Sequence, residues 1–73
     1  MPKATAIRFE EDRVVFALTN GGELAFPLTD FPRLRNATPE QRAQGKLVWG
    51  GTAARWDEID EDISIQQLLT GED

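Results

Sequence analysis

The sequence predicts an α+β domain: an antiparallel β-meander of three strands with a short additional strand pair and two short helices packed on it. Three observations lead there. Apolar and polar residues alternate with a strand-like period through residues 5–28. Asn20-Gly21-Gly22 interrupts that alternation with residues that tolerate the positive φ of hairpin turns. Beyond residue 37, helix-start signatures at Thr38 and Ser64 open segments too short for long helices.

In chain order, Thr5-Ala6-Ile7-Arg8-Phe9 puts Ile7 and Phe9 on one face and Arg8 on the other. Glu10-Glu11-Asp12 fits a tight turn. Arg13 to Leu18 is nearly continuous in apolar character, with Val14, Phe16 and Leu18 on one face and Val15 and Ala17 on the other, as in a central strand covered on both sides. Glu23 to Leu28 alternates with Leu24, Phe26 and Leu28 inward, and Pro27, lacking an amide donor, marks the strand's end or a sheet edge. Asp30 is expected to cap a helical turn through Leu34, with Pro32 near its start. Thr38-Pro39-Glu40-Gln41 is a capping box with Pro at the first helical position, and Gly45 stops that helix. Residues 46–49 and 52–56 read as two short strands around Gly50-Gly51. The last helix begins at Ser64, with Gln67 completing a second box, Ile63 as a staple and Gly71 as the stop. The expected core is Ile7, Phe9, Val14, Phe16, Leu18, Leu24, Phe26, Leu34, Trp56, Ile59, Ile65, Leu68 and Leu69.

Composition narrows the function. The 73 residues, 40% apolar and 29% charged, make one small domain over 1–73 rather than a disordered chain. A fold this short buries only about 60% of the surface its unfolded chain exposes, so its stability is marginal. Without cysteine there is no disulfide staple or thiolate metal site, and without histidine the commonest general base and metal ligand are missing. Catalysis would fall to carboxylates, Lys and hydroxyls in a domain with little room for a water-excluding pocket; no catalytic residue is assigned, and the reading is not an enzyme. No apolar run approaches the ~18 residues of a membrane span. Met1-Pro2-Lys3-Ala4-Thr5 lacks the apolar core of a signal peptide, so the expected location is cytoplasmic.

The net charge of −5 is unevenly placed. Residues 1–56 hold all eight bases against six acids, whereas 57–73 hold seven acids and no base. Trp56-Asp57-Glu58-Ile59-Asp60-Glu61-Asp62-Ile63 carries five carboxylates. Such a run suits hard cations, but it lacks the glycine and spacing of an EF-hand loop, so no metal or other cofactor is assigned. Two readings remain. The acids support the start of the last helix, with Asp60 or Asp62 bonding amides near Ser64; or Asp57, Glu58 and Glu61 form a surface for a basic protein partner, with exposed apolar side chains at its centre. An alternative interface, for nucleic acid, would use Arg33, Arg35, Arg42, Lys46 and Arg55 with Trp49 stacking on bases; against it stand a buried Trp49 and bases paired to the chain's own acidic end. An ion pair of Arg33 or Arg35 with Asp60 is also conceivable on charge, and an unpaired sheet edge would permit a homo-oligomer.

The order of these pieces resembles the bacterial domain-of-unknown-function family DUF2442 over nearly the whole chain. The resemblance rests on Glu23-Leu24-Ala25-Phe26-Pro27-Leu28, Phe31-Pro32-Arg33-Leu34, Ala37-Thr38-Pro39-Glu40-Gln41-Arg42, Trp56 with Ile59-Asp60-Glu61-Asp62-Ile63, and Leu68-Leu69-Thr70-Gly71. Members often carry His before the tryptophan and Pro after it; Arg55 and Asp57 stand there in this chain, so no role of that histidine transfers. The resemblance implies a small α+β domain, standing alone or joined to a DNA-binding helix-turn-helix. It also implies a neighbouring small basic protein, in an arrangement similar to a toxin–antitoxin pair. The expectation is a non-enzymatic protein-interaction module, the acidic antitoxin-like partner of that protein.

Overall fold

The computed structural model describes residues 2–71. β1 (Ala4–Glu10), β2 (Arg13–Leu18) and β3 (Glu23–Pro27) form an antiparallel sheet in the order β1-β2-β3. This is the expected meander, with ends shifted by a residue. Asn20 caps the second turn by accepting from the Gly22 amide at 2.9 Å, and Gly21 takes φ 86°. The β1–β2 register shifts between Ala4 and Ala6, a bulge that resets the pleat. Ala4 is therefore buried although it lies three residues before Ile7, an odd spacing that would put them on opposite faces of a regular strand. β3 is a sheet edge and ends at Pro27, where a missing donor removes nothing from the ladder.

β2 is covered on both faces. Val14, Phe16 and Leu18 enter the core, while Val15 is buried on the other side. There Arg8 on β1 reaches Glu23 on β3 through two hydrogen bonds of 2.6 and 3.0 Å, and the connection has to cross β2. The carboxylate holds the guanidinium pKa above its ordinary value, and the Arg8 hydrogen bonds hold Glu23 below its own.

A 3₁₀ turn at Leu28–Asp30 leads to α1 (Pro32–Arg35) and α2 (Pro39–Ala43). Asp30 does not cap α1: it lies inside the preceding turn, the cap position is Phe31, and no side chain bonds there. The Thr38 box forms in full, with Gln41 N donating to Thr38 Oγ1 at 3.1 Å and Thr38 N to Gln41 Oε1 at 2.9 Å.

β4 (Lys46–Val48), β5 (Ala53–Trp56) and β6 (Glu61–Ser64) make a second antiparallel sheet in the order β4-β5-β6. The expected strand pair is thus three strands. Glu61–Ser64, read from sequence as an acidic lead-in to a helix, pairs with β5 so that Ile63 lies opposite Ala54 and Asp62 opposite Arg55. Burial of Ile63 beside Ala54 and Trp56 favours pairing over solvation of the acids. α3 (Ile65–Thr70) follows, its Ser64 hydroxyl accepting from the Gln67 amide at 3.2 Å and Gly71 ending it at φ 73°. It is the last helix expected from sequence; the helices number three rather than two because the expected turn through Leu34 forms α1.

One cluster joins the two sheets: Val14, Phe16 and Leu18 from the first, Ala54, Trp56 and Ile63 from the second, with Leu28, Leu34 and Ile65 between them. Leu28 and Ile63 are more central than their sequence patterns suggested. Ile7, Phe9, Leu24, Phe26, Ile59, Leu68 and Leu69, expected in the core, form its half-buried rim. Trp56 sits at the junction with 1% of its surface exposed. Its indole N–H donates to the Arg42 carbonyl at 3.0 Å, its ring meets Phe9 edge-on at 6.3 Å, and a Cβ at Gly45 would overlap the indole.

Candidate functional site

The second sheet turns Ala54, Trp56, Leu47 and Ile63 inward, which leaves Lys46, Val48, Arg55, Asp62 and Ser64 on its outer face. Charges are ordered across that face. Arg55 Nε donates to Asp62 Oδ1 at 3.0 Å, joining β5 to β6, and Lys46 on β4 pairs with Asp57 at 2.8 Å. The hydrogen bond from Lys46 is the main cause that holds the Asp57 pKa below the ordinary aspartate range.

Trp49 completes this face. After β4 the chain enters a tight turn through Gly50 and Gly51, with Trp49 itself at φ 52°, a left-handed conformation that bulky residues seldom adopt. Gly51 takes φ 91° where a Cβ would overlap the Ala4 carbonyl, so this turn is packed against the start of β1. The Trp49 ring lies 5.3 Å from the Arg55 guanidinium carbon, within cation–π range. It is 70% exposed, and among the described residues no other large hydrophobic side chain is exposed. The sequence favours a buried Trp49; the structure corrects this and places it on the surface.

Asp57, Glu58 and Glu61 lie on one turn and the start of β6. Asp57 is held by Lys46, and Glu58 accepts from Gln41 Nε2 at 3.0 Å, which ties the turn to α2. Glu61 has no ion-pair partner among the described residues. Asp60 takes φ 54°, and its backbone carbonyl accepts from Arg33. Neither Asp60 nor Asp62 supports the start of α3: Ser64 caps that helix, and Asp62 serves Arg55. With Trp56 and Arg55, residues Asp57 and Asp60–Asp62 line a solvent-open depression of about 230 Å³. Among the described residues, no three carboxylates converge closely enough to hold a metal ion.

The five bases do not form one patch. Lys46 and Arg55 face carboxylates, Arg33 bonds the Asp60 carbonyl, and Arg42 donates to the carbonyls of Leu34 and Arg35 at 2.9 and 2.8 Å. Arg42 also lies 5.9 Å from the centre of the Phe9 ring, so it clamps α1, α2 and β1 together. Arg35 is exposed and borders a separate depression with Asp12, Leu28, Thr29 and Arg42. Arg33 contacts the Asp60 backbone rather than its carboxylate, so the ion pair conceivable from charge is replaced by a carbonyl contact. No described helix is long and apolar enough to cross a membrane.

Two solved structures share this architecture. A crystal structure of a protein of unknown function from Rhodospirillum rubrum aligns with a TM-score of 0.82 at 28% identity, covering 99% of this chain and 89% of that one. A solution NMR structure of an uncharacterised Chromobacterium violaceum protein aligns with a TM-score of 0.77 at 28% identity, covering 94% of this chain and 65% of that one. No curated protein matches the sequence. The profile of the family described as protein of unknown function (DUF2442) matches residues 4–73, nearly the whole chain, and the protein belongs to that family.

Proposed function

We propose that this protein is a non-enzymatic interaction module, the acidic antitoxin-like half of a bacterial two-protein module, whose partner is a small basic protein. The exposed Trp49 carries the reading. Burying such a ring removes a large apolar area from water, and tryptophan anchors dominate many interfaces when charged groups surround them. Held in a left-handed turn, Trp49 occupies a conformation that packing has to impose rather than one it adopts freely. Carboxylates at the other end of the same sheet provide the matching charge. Asp57 and Asp62 are already neutralised by Lys46 and Arg55, which leaves Glu58, Asp60 and Glu61 to attract a partner's Lys and Arg. The partner would be held by occlusion of its basic surface, with no bond made or broken.

Purification of the tagged protein from its native cells at low and high salt tests this directly. The expected result is a stoichiometric basic protein that dissociates at high salt, and that Glu58→Lys with Glu61→Lys or Trp49→Ala fails to retain. Retention by all these variants would remove the acidic face from the mechanism. Nucleic acid in place of a protein would favour the alternative interface through Arg33, Arg35, Arg42, Lys46 and Arg55.

A further inference from the structure

We infer that the partner engages this protein by strand addition: an extended basic segment pairs with the free edge of β6 and continues the second sheet as a fourth strand. This rests on the proposed recognition of a basic partner and specifies how it is achieved. The register supplies the geometry. Ile65 N donates to the Thr52 carbonyl at 2.9 Å, so Thr52 and Ile65 form a hydrogen-bonded pair. Alternation then makes Ala54–Ile63 and Trp56–Glu61 the bonded pairs further along. Asp62 and Ser64 lie at the intervening positions, so their N–H and C=O groups point away from β5. The Ser64 carbonyl is committed to the first turn of α3, so the edge offers the N–H and C=O of Asp62 and the N–H of Ser64.

The other edges match such a partner less well. β3 also turns the N–H and C=O of Glu23 and Ala25 outward, but it ends at Pro27, which has no donor, and the Glu23 carboxylate is already held by Arg8, so that edge has no free carboxylate for a basic segment. β4 lies against β1. Among the described residues, β6 is the edge that combines open main-chain groups with flanking carboxylates outside any ion pair, those of Asp60 and Glu61. Pairing with a second copy would bring two such acidic edges together, a like-charge contact, whereas a segment with Lys or Arg at alternate positions neutralises them. Main-chain hydrogen bonds would supply affinity, and the carboxylates would select the partner's charge.

The test leaves the protein unaltered and varies the probe, a short synthetic peptide of alternating lysine and valine. Titration followed by amide NMR is expected to shift the Asp62 and Ser64 resonances and slow the exchange of both amides. Methylating the peptide nitrogens on the side that faces β6 keeps its charge but removes its donors; affinity should then fall about tenfold or more, the effect of losing one or two hydrogen bonds. Equal binding of the methylated peptide would overturn strand addition while leaving charge recognition standing. A glutamate–valine peptide that binds as well as the lysine one would overturn both. Concentration-dependent protection of the same amides without any peptide would identify a second copy as the occupant and overturn the basic-segment assignment.

Discussion

Lys46 and Asp57 show how one ion pair on an exposed face leaves a measurable signature without holding the fold together. The Asp57 pKa lies below its ordinary value chiefly because Lys46 donates a hydrogen bond to the ionised carboxylate. A depressed native pKa means that the unfolded chain takes up this proton first as acid is added. The pair's stabilising contribution is therefore complete above the ordinary aspartate pKa of about 3.9 and disappears as pH falls through the lower native value. An NMR titration should find the Asp57 midpoint below that ordinary value, and Lys46→Met should raise it. An unchanged midpoint in the variant would mean that Lys46 does not set it. Both side chains are exposed, so solvent screening should leave the neutral-pH melting temperature almost unmoved. The same competition bears on the proposed recognition: a lysine brought to Asp57 would have to displace Lys46, whereas one brought to Glu61 would displace only water.

At the scale of elements, α2 and the second sheet are fastened at one place, where Gly45 lies against the Trp56 indole and the indole N–H satisfies the Arg42 carbonyl. A helix of five residues cannot sustain itself, so this contact and the Thr38 box must hold it. Gly45→Ala should destabilise the protein by about 1–3 kcal/mol, as overpacking against a buried ring does, although alanine normally favours folding over glycine. A urea midpoint equal to or above the parent's would show that the indole moves aside without penalty. This fastening was only half legible in the sequence: Gly45 reads as a helix stop, and its neighbour across space cannot be inferred from a stop signal. The first sheet was read nearly whole, because Ile7-x-Phe9, Val14-x-Phe16-x-Leu18 and Leu24-x-Phe26 alternate between clear turns. β6 escaped because Glu61-Asp62-Ile63-Ser64 has a single apolar residue and two acids, so its strand identity comes from pairing with Ala53–Trp56 rather than local propensity. The acidic positions of the candidate surface were legible as charge. Their internal partners Lys46, Arg55 and Gln41 depend on that unseen pairing, and the exposure of Trp49 depends on the left-handed turn before Gly50.

For the molecule as a whole, the radius of gyration of 11.3 Å matches the ~11 Å expected of a compact 73-residue domain, so the two small sheets share one body. The two sheets bury their inner faces in one cluster. Val14 and Phe16 of the first pack in the same cluster as Ala54, Trp56 and Ile63 of the second, which should make unfolding a single transition. Ile63→Ala, on the strand that joins β5 to α3, should cost about 2–5 kcal/mol, a large part of the ~5 kcal/mol or less available to so small a fold. The two tryptophans allow the cooperativity to be measured. In Trp49→Phe the remaining indole is buried Trp56, whose emission should shift to the red on unfolding and report on the second sheet. Far-UV circular dichroism reports on both sheets and the helices. In that background the two probes should give the same urea midpoint, and Ile63→Ala should lower both midpoints together. If fluorescence changed at lower urea than the backbone signal, the second sheet would be a separate cooperative unit that opens first. The exposed face it carries would then be a surface whose order depends on what binds it, and the partner's added strand would contribute directly to the stability of β6.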